Sequence, residues 1–410
     1  MLSSRVRETA RWPWVAALVL LLAATQVSAA GPGGPLSRMY NGLAVTPPMG
    51  WNDYNAYGLD VTETLVEQTA DAMVASGLRD AGYVYVTIDD AWMADTRDAD
   101  GNLRADPTRF PHGIAPLAGY VHARNLKLGI YEDAGATTCG GKPGSLGHER
   151  QDAARFAAWG VDYLKYDNCY AGPGCAQHDC TGGIELSDTA RYATMRDALL
   201  RTGRPIVFSI CSWGTGGVWR WGAGYGNLWR TTGDILPTYA SMLANFHETV
   251  GLGRYAGPGG WNDPDMLETG NGMTLDEDRT EFSLWAALAA PLIVGADLVH
   301  ASPGTRSVLT NAAVVAVDQD ALGRPAREVS AAGGLDVLAR PLAGGDVAVV
   351  LFNETEAPAT IATSAAAAGL PGASRYTLRD LWAGTTASTA GAIEATVPPH
   401  GVMMYRVSGA

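Results

Sequence analysis

From residue 40 to about 325 the sequence alternates short β-branched runs with helical stretches, and this alternation constrains the fold more than any other feature. Strands are expected near Met49–Trp51 and at Tyr83–Ile88, Lys127–Tyr131, Val161–Tyr166, Pro205–Ile210, Asn227–Thr231, Arg254–Gly257 and Pro291–Val294. Helical spacing is clearest at Thr62–Ala81, Glu149–Trp159, Thr189–Arg201 and Asp278–Ala289. In the first of these, Leu65, Thr69, Met73 and Leu78 recur on one face behind Thr62, a candidate cap. About eight strand–helix units fit a (β/α)8 TIM barrel. A doubly wound open sheet would announce itself with a Gly-rich phosphate loop after a strand. The nearest match, Gly222-Ala223-Gly224-Tyr225-Gly226, follows no strand and misses the last glycine spacing, so it reads as a loop.

Beyond Arg327 the texture changes. Leu335–Leu342, Asp346–Phe352, Ala359–Thr363, Tyr376–Leu381 and Ile393–Val397 are short alternating strands, His400–Val407 closes the series, and the Ala365–Ala368 run reads as a loop. With no long helix among them, they predict an appended antiparallel, β-sandwich-like domain. The expected division is therefore 1–29, 30–326 for the barrel and 327–410 for the β domain. Hydrophobic residues at 47% and charged residues at 17% leave ample material for two cores and exclude charge-driven disorder.

The segment 1–29 reads as a secretory signal peptide. Arg5, Arg7 and Arg11 precede an apolar run from Trp14 to Ala24, and small residues follow at Val27-Ser28-Ala29-Ala30. The run falls short of the roughly 20 apolar residues that span a bilayer. The mature chain is expected to be secreted, extracellular or periplasmic, and not membrane-bound. A net charge of −13 provides no basic footprint for nucleic acid. Export permits disulfides among Cys139, Cys169, Cys175, Cys180 and Cys211, an odd number. Cys175 and Cys180 share a Gly-rich loop and can close a small ring. Cys139 and Cys169 each follow a strand-like run and can meet if those strands are neighbours. Cys211 then remains as a buried thiol. No Cys-x-x-Cys, His-x-His or His-Glu-x-x-His spacing suggests a metal.

In a TIM barrel, function sits where the strands end. Those ends carry Trp51-Asn52-Asp53, Asp89-Asp90-Ala91-Trp92, Glu132-Asp133, Lys165-Tyr166-Asp167-Asn168, Ser212-Trp213, Arg230 with Asp234, and Trp261-Asn262-Asp263-Pro264-Asp265. A solvated acidic rim would account for the Asp residues but not for Trp51, Trp92, Trp213 and Trp261 beside them. Trp faces that stack on sugar rings, next to carboxylates that accept hydroxyl hydrogen bonds, describe a carbohydrate pocket. Cleaving a glycosidic bond takes two carboxyl groups flanking it. Asp167 is the candidate nucleophile, because Lys165 lies two residues earlier on the same strand face and can hold it ionised. Only Lys127, Lys142 and Lys165 occur among 29 basic residues, which makes a Lys at this position notable. Asp234, four residues after Arg230 in a Gly-containing turn, is the candidate acid/base.

At these residues the chain resembles glycoside hydrolase family 27, the family of retaining α-galactosidases and α-N-acetylgalactosaminidases. The resemblance runs from Asn41 to the C-terminus. It rests on Thr46-Pro47-Pro48-Met49-Gly50-Trp51-Asn52, Ile88-Asp89-Asp90-Ala91-Trp92, Tyr163-Leu164-Lys165-Tyr166-Asp167-Asn168-Cys169, Trp229-Arg230-Thr231-Thr232-Gly233-Asp234-Ile235 and Gly257-Pro258-Gly259-Gly260-Trp261-Asn262-Asp263-Pro264-Asp265-Met266, in that order. It implies a barrel plus a β-sandwich-like domain with no metal or organic cofactor, acting on α-galactoside oligosaccharides or glycoconjugates. By motif, Asp167 matches the nucleophile and Asp234 the acid/base of a double displacement. Asp89 and Asp90 match the acceptors of the 4- and 6-hydroxyls, Trp51 the wall, and Lys165 a ligand of the 3- and 4-hydroxyls. Tyr131, Arg230 and Asp265 match further binding positions, and Cys139–Cys169 matches a family disulfide.

Departures from the family pattern bear on substrate. Ala91 stands where many relatives have a disulfide-bonded Cys, and Cys211 lacks the partner found in some animal relatives. Ser212 stands where α-galactoside-cleaving relatives often carry Glu against the 2-hydroxyl. With Thr215 three positions on, it resembles the α-N-acetylgalactosaminidases, whose pocket admits an acetamide. α-Galactosidase is the first expectation and α-N-acetylgalactosaminidase the second; β-L-arabinopyranosidase is opposed by Asp90, where that reading wants Glu. A non-catalytic carbohydrate-binding barrel requires loss of a catalytic carboxylate, and both are present.

Overall fold

The computed structural model describes residue 39, residues 41–171 and residues 186–409. The targeting segment and the Cys175–Cys180 pairing lie outside the described residues. Eight parallel strands form one curled sheet: β1 (Met49–Asn52), β2 (Tyr85–Ile88), β3 (Lys127–Asp133), β4 (Tyr163–Asp167), β5 (Val207–Ile210), β6 (Leu228–Arg230), β7 (Trp261–Asp263) and β8 (Leu292–Val294). Their order is β7-β6-β5-β4-β3-β2-β1-β8. Leu267, four residues past β7, closes the ring. Its N–H donates to Ile293 O at 2.7 Å, and Gly295 N–H donates to Leu267 O at 2.9 Å. Nearly every strand residue is buried, as expected for a parallel sheet covered on both faces.

The expected barrel strands are present except the seventh. Arg254–Gly257 instead begins in a 3-10 turn at Gly253–Tyr255, and the strand is Trp261–Asp263. The β-branched signal is weak at both places, so the strand is set by pairing with β6 rather than by propensity. The pattern over Thr62–Ala81 divides into Glu63–Ala75 and Leu78–Ala81 at Gly77, whose φ of +84° is left-handed. Thr62 does cap the first helix, accepting the Leu65 N–H at 3.2 Å.

The C-terminal strands form a six-stranded antiparallel sheet and a two-stranded one. With β9 (Arg327–Ala332), β10 (Leu335–Pro341), β11 (Val347–Asn353), β12 (Ala359–Ser364), β13 (Tyr376–Asp380), β14 (Thr386–Thr389), β15 (Ala392–Val397) and β16 (Val402–Gly409), the orders are β14-β13-β16-β11-β10-β9 and β12-β15. Strands β9 and β14 were not expected. Both are largely exposed edge strands with little apolar alternation to signal them. Ala365–Ala368, read as a loop, is one helical turn capped by Ser364.

The helix Leu275–Leu288 joins the two layers and is buried at every position from Thr280 to Leu288. One side covers the barrel. From the other layer, Trp382 Nε1 donates to Ser283 Oγ at 2.9 Å, and the fully buried Arg340 reaches Ala286 O and Asp318 O.

Candidate active site

A cavity of about 470 Å3 opens where the barrel strands end. On β4, Lys165 and Asp167 alternate onto the same inward face, and on β3 Tyr131 lies in register with Lys165. Asp167 is 6% exposed. Its Oδ2 accepts the Tyr131 hydroxyl at 2.9 Å and its Oδ1 accepts the Asn168 N–H at 3.0 Å. Burial pushes the Asp167 carboxyl up to about 6. The Lys165 ammonium and hydrogen bonds from Cys211 and Tyr131 oppose that rise, and the charge of Asp234 adds to it.

The Lys165 charge favours the ionised form of Asp167, as the sequence suggested, while the ammonium itself pairs with another carboxylate. Lys165 Nζ donates to Asp89 Oδ2 at 2.8 Å, because Asp89, after β2, reaches across the barrel mouth to it. Burial disfavours the ammonium, but the carboxylates of Asp89, Asp167 and Asp265 outweigh it and hold Lys165 well above the ordinary lysine range. Asp89 is fixed further by Asn52 Nδ2 at 2.5 Å, and its own N–H donates to Asp53 Oδ1 at 2.7 Å. Asp90 accepts Ala91 N–H at 2.6 Å and, from the loop after β3, Gly140 N–H at 2.7 Å. That loop is tied to the end of β4 by the disulfide Cys139–Cys169, the pairing the resemblance implied. Cys211 is the free thiol among the described residues and is buried, as expected.

Asp234, four residues after the end of β6, also lines the cavity, with a side chain 73% exposed. Arg230 Nη2 lies 3.0 Å from Asp234 Oδ1 and 2.9 Å from Asp265 Oδ2, and the side chains of Arg230 and Asp265 are each 4% exposed. Asp167, Asp234, Asp89, Asp90, Tyr131, Lys165, Arg230 and Asp265 therefore all line one cavity.

Two sequence-derived site residues are placed elsewhere. Trp51 is fully buried and does not line the cavity; its indole N–H has found Ala296 O at 2.9 Å in the core. Ser212 is also fully buried off the cavity wall, and its Oγ has no partner among the described residues. The reading of four rim tryptophans fails for the same reason. Trp92 Nε1 donates to Tyr131 O at 2.8 Å, and Trp261 Nε1 donates to Ala44 O at 2.7 Å at the other end of the barrel. Buried indoles satisfy their N–H on backbone and serve as core. Among the described residues, Trp213 is the tryptophan that lines the cavity.

Sequence reasoning missed Tyr54, Asn55, Leu236, Pro237 and Met266, which also line it. Each lies within three residues of a motif carboxylate, and that proximity is the signal that would have found them. Asp133, Cys139, Asp167 and Cys169 converge closely enough to suggest a metal centre. The two sulfurs are bonded to each other, however, which leaves two carboxylates as donors, fewer than the three or four protein ligands of a zinc site.

A sequence profile of the family described as alpha galactosidase A matches residues 46–320. One described as the alpha galactosidase C-terminal beta sandwich domain matches residues 332–407. The alpha-galactosidase of Cyamopsis tetragonoloba is 47% identical over 368 residues, covering 89% of this chain and 87% of that protein. Alpha-galactosidase I from Mortierella vinacea superposes with a TM-score of 0.85 at 37% identity, over 90% of this chain and 98% of that one. The alpha-galactosidase from Saccharomyces cerevisiae, solved with raffinose, gives a TM-score of 0.84 at 32% identity over 92% of this chain and all of that one.

Proposed function

The chain belongs to glycoside hydrolase family 27, and from that premise we propose that it removes terminal α-D-galactosyl residues from oligosaccharides with retention of configuration. The observation that carries the reading is the pairing of a buried carboxyl, Asp167, with an exposed one, Asp234, on a single cavity that also holds the Lys165–Asp89 ion pair. Asp167 attacks the anomeric carbon as the carboxylate. The bond from that carbon to the leaving oxygen breaks, and the Asp234 carboxyl proton passes to that oxygen. In the second half, Asp234 as carboxylate takes a proton from water while the water oxygen bonds to the anomeric carbon and Asp167 is released. Tyr131 and Asn168 donate to Asp167 and favour its charged form.

Asp89, Asp90 and Lys165 form the sugar-recognition group. An axial 4-hydroxyl separates galactose from glucose, so acceptors and donors fixed on that side discriminate between them. Ser212 opens no space for an acetamide, because it is covered. This supports α-galactosidase over α-N-acetylgalactosaminidase. We further assign residues 1–29 to a signal peptide for secretion and place the domain division between 326 and 327, on the sequence pattern alone. Parallel assays on the 4-nitrophenyl α-galactoside, α-N-acetylgalactosaminide and β-L-arabinopyranoside test the substrate. The α-galactoside is expected to be turned over fastest, and a faster rate on either of the others overturns the reading.

A further inference from the structure

Arg230 Nη2 carries two N–H bonds but has four acceptors in reach. They are Thr232 O at 3.2 Å, Gly233 O at 2.7 Å, Asp234 Oδ1 at 3.0 Å and Asp265 Oδ2 at 2.9 Å. Of the two carboxylates, Asp265 is buried and Asp234 exposed. Asp265 has little acceptor capacity left for a sugar: Oδ2 also takes the Ile235 N–H at 2.9 Å, and Oδ1 takes the Met266 N–H at 2.8 Å. It thereby grips the residue directly after Asp234. Its φ of +87° lies in the left-handed region, which is uncommon for a residue with a side chain and is often found where a site demands it.

We propose that Asp265 is a positioning residue for the proton cycle of Asp234, holding Arg230 and the Asp234 loop in place whether Asp234 is neutral or charged. The inference rests on the reading of Asp234 as acid/base. When Asp234 carries its proton, Asp265 and the two carbonyls still satisfy Arg230, so no buried cation is stranded. When Asp234 has given the proton to the leaving oxygen, its carboxylate rejoins a cation already half neutralised and can take the next proton from water. Without the charge of Asp265, all of the attraction of Arg230 falls on Asp234 and favours its carboxylate. The other titratable groups facing this cluster are Asp263, Cys211, Asp167, Lys165 and Tyr54. Among the described residues, Asp265 is the one of these groups that both pairs with Arg230 and accepts a hydrogen bond from the Asp234 loop.

The test compares kcat/KM against pH for methyl α-galactoside, whose leaving oxygen needs a proton, and 2,4-dinitrophenyl α-galactoside, whose leaving group does not. In Asp265→Asn the basic limb for the methyl glycoside is expected to move down by about one pH unit. At neutral pH its kcat/KM falls by about tenfold more for the methyl glycoside than for the dinitrophenyl glycoside. Equal losses on both substrates with an unmoved limb would make Asp265 a sugar contact only and overturn the proposal. If Asp265→Asn does not fold, Asp265→Glu decides. With the charge kept, its basic limb stays at the wild-type pH, and a limb displaced by a full unit contradicts the proposal. Asp234→Ala, measured in parallel, separates the two claims. If it loses no more on the methyl than on the dinitrophenyl glycoside, the acid/base reading itself fails.

Discussion

Burial raises the Asp167 carboxyl to about 6 even against the Lys165 ammonium and the hydrogen bonds from Cys211 and Tyr131, so it is charged above that pH and neutral below it. Tyr131 on β3 and the Asn168 N–H just past β4 hydrogen-bond it, so the proposed nucleophile depends on the β3–β4 register as much as on its own position. The sign of its pH dependence follows. The reactive species is the carboxylate, its folded-state pKa is raised to about 6, and activity is lost as pH falls through that value. A profile of kcat/KM for 4-nitrophenyl α-galactoside should show an acid limb near pH 6, and a rate that stays flat to pH 4 contradicts the assignment. At this scale the sequence pointed to Asp167 and Asp234, which both line the cavity, but gave no sign of the ion pair between Lys165 and Asp89. The spacing i, i+2 shows that Lys165 and Asp167 share a face; it carries no information about Asp89, which arrives from 76 residues away and takes the ammonium instead. Trp51 and Ser212 were misread for a related reason. Position at a strand end does not reveal whether a side chain turns to solvent or back into the core.

The loop after β3 shows how an element imposes precision on a site. Its disulfide to Cys169 anchors it beside Asp167, and Gly140 presents a backbone N–H to Asp90 at 2.7 Å. A Cβ on Gly140 would stand 3.0 Å from Asp90 Oδ2 and 3.1 Å from Leu59 Cδ2. Gly140→Val is therefore expected to displace the carboxylate and raise KM by about tenfold, the scale on which a small misplacement acts. Its melting temperature should move little, because the loop lies at the cavity edge. Steady-state kinetics with a thermal melt check this, and an unchanged KM would show that Asp90 does not hold the sugar. Element starts were legible at Lys127 and behind the Thr62 cap, although the strand from Lys127 runs to Asp133, two residues past its expected end at Tyr131. They were not legible at β7, where Trp261-Asn262-Asp263 is a strand by its pairing with β6.

The barrel and the C-terminal sheet divide one helix between them, and the stability of either layer involves the other. Phe282, Ala286 and their neighbours on Leu275–Leu288 are covered on both sides, and Arg340 inserts from the β domain to take backbone carbonyls of the barrel. A chain ending at Ala326 would leave this face uncovered and those carbonyls without a donor, so it is expected to be insoluble or to lose its cooperative melt. A soluble, active barrel from that truncation would show the layers to be independent. The change from alternating β/α texture to pure strands made this architecture readable from sequence. The helix was expected at Asp278–Ala289, but its place between the layers was not, since its pattern shows an apolar run but not what covers it. The central claim is that Asp167 bonds covalently to the sugar in the cavity it shares with Asp234. Trapping with 5-fluoro-α-D-galactosyl fluoride, followed by peptide mass spectrometry, tests it most directly. The account predicts one fluorogalactosyl label on the peptide containing Asp167, and a label on any other residue, or rapid turnover by Asp167→Asn with no label at all, would contradict it.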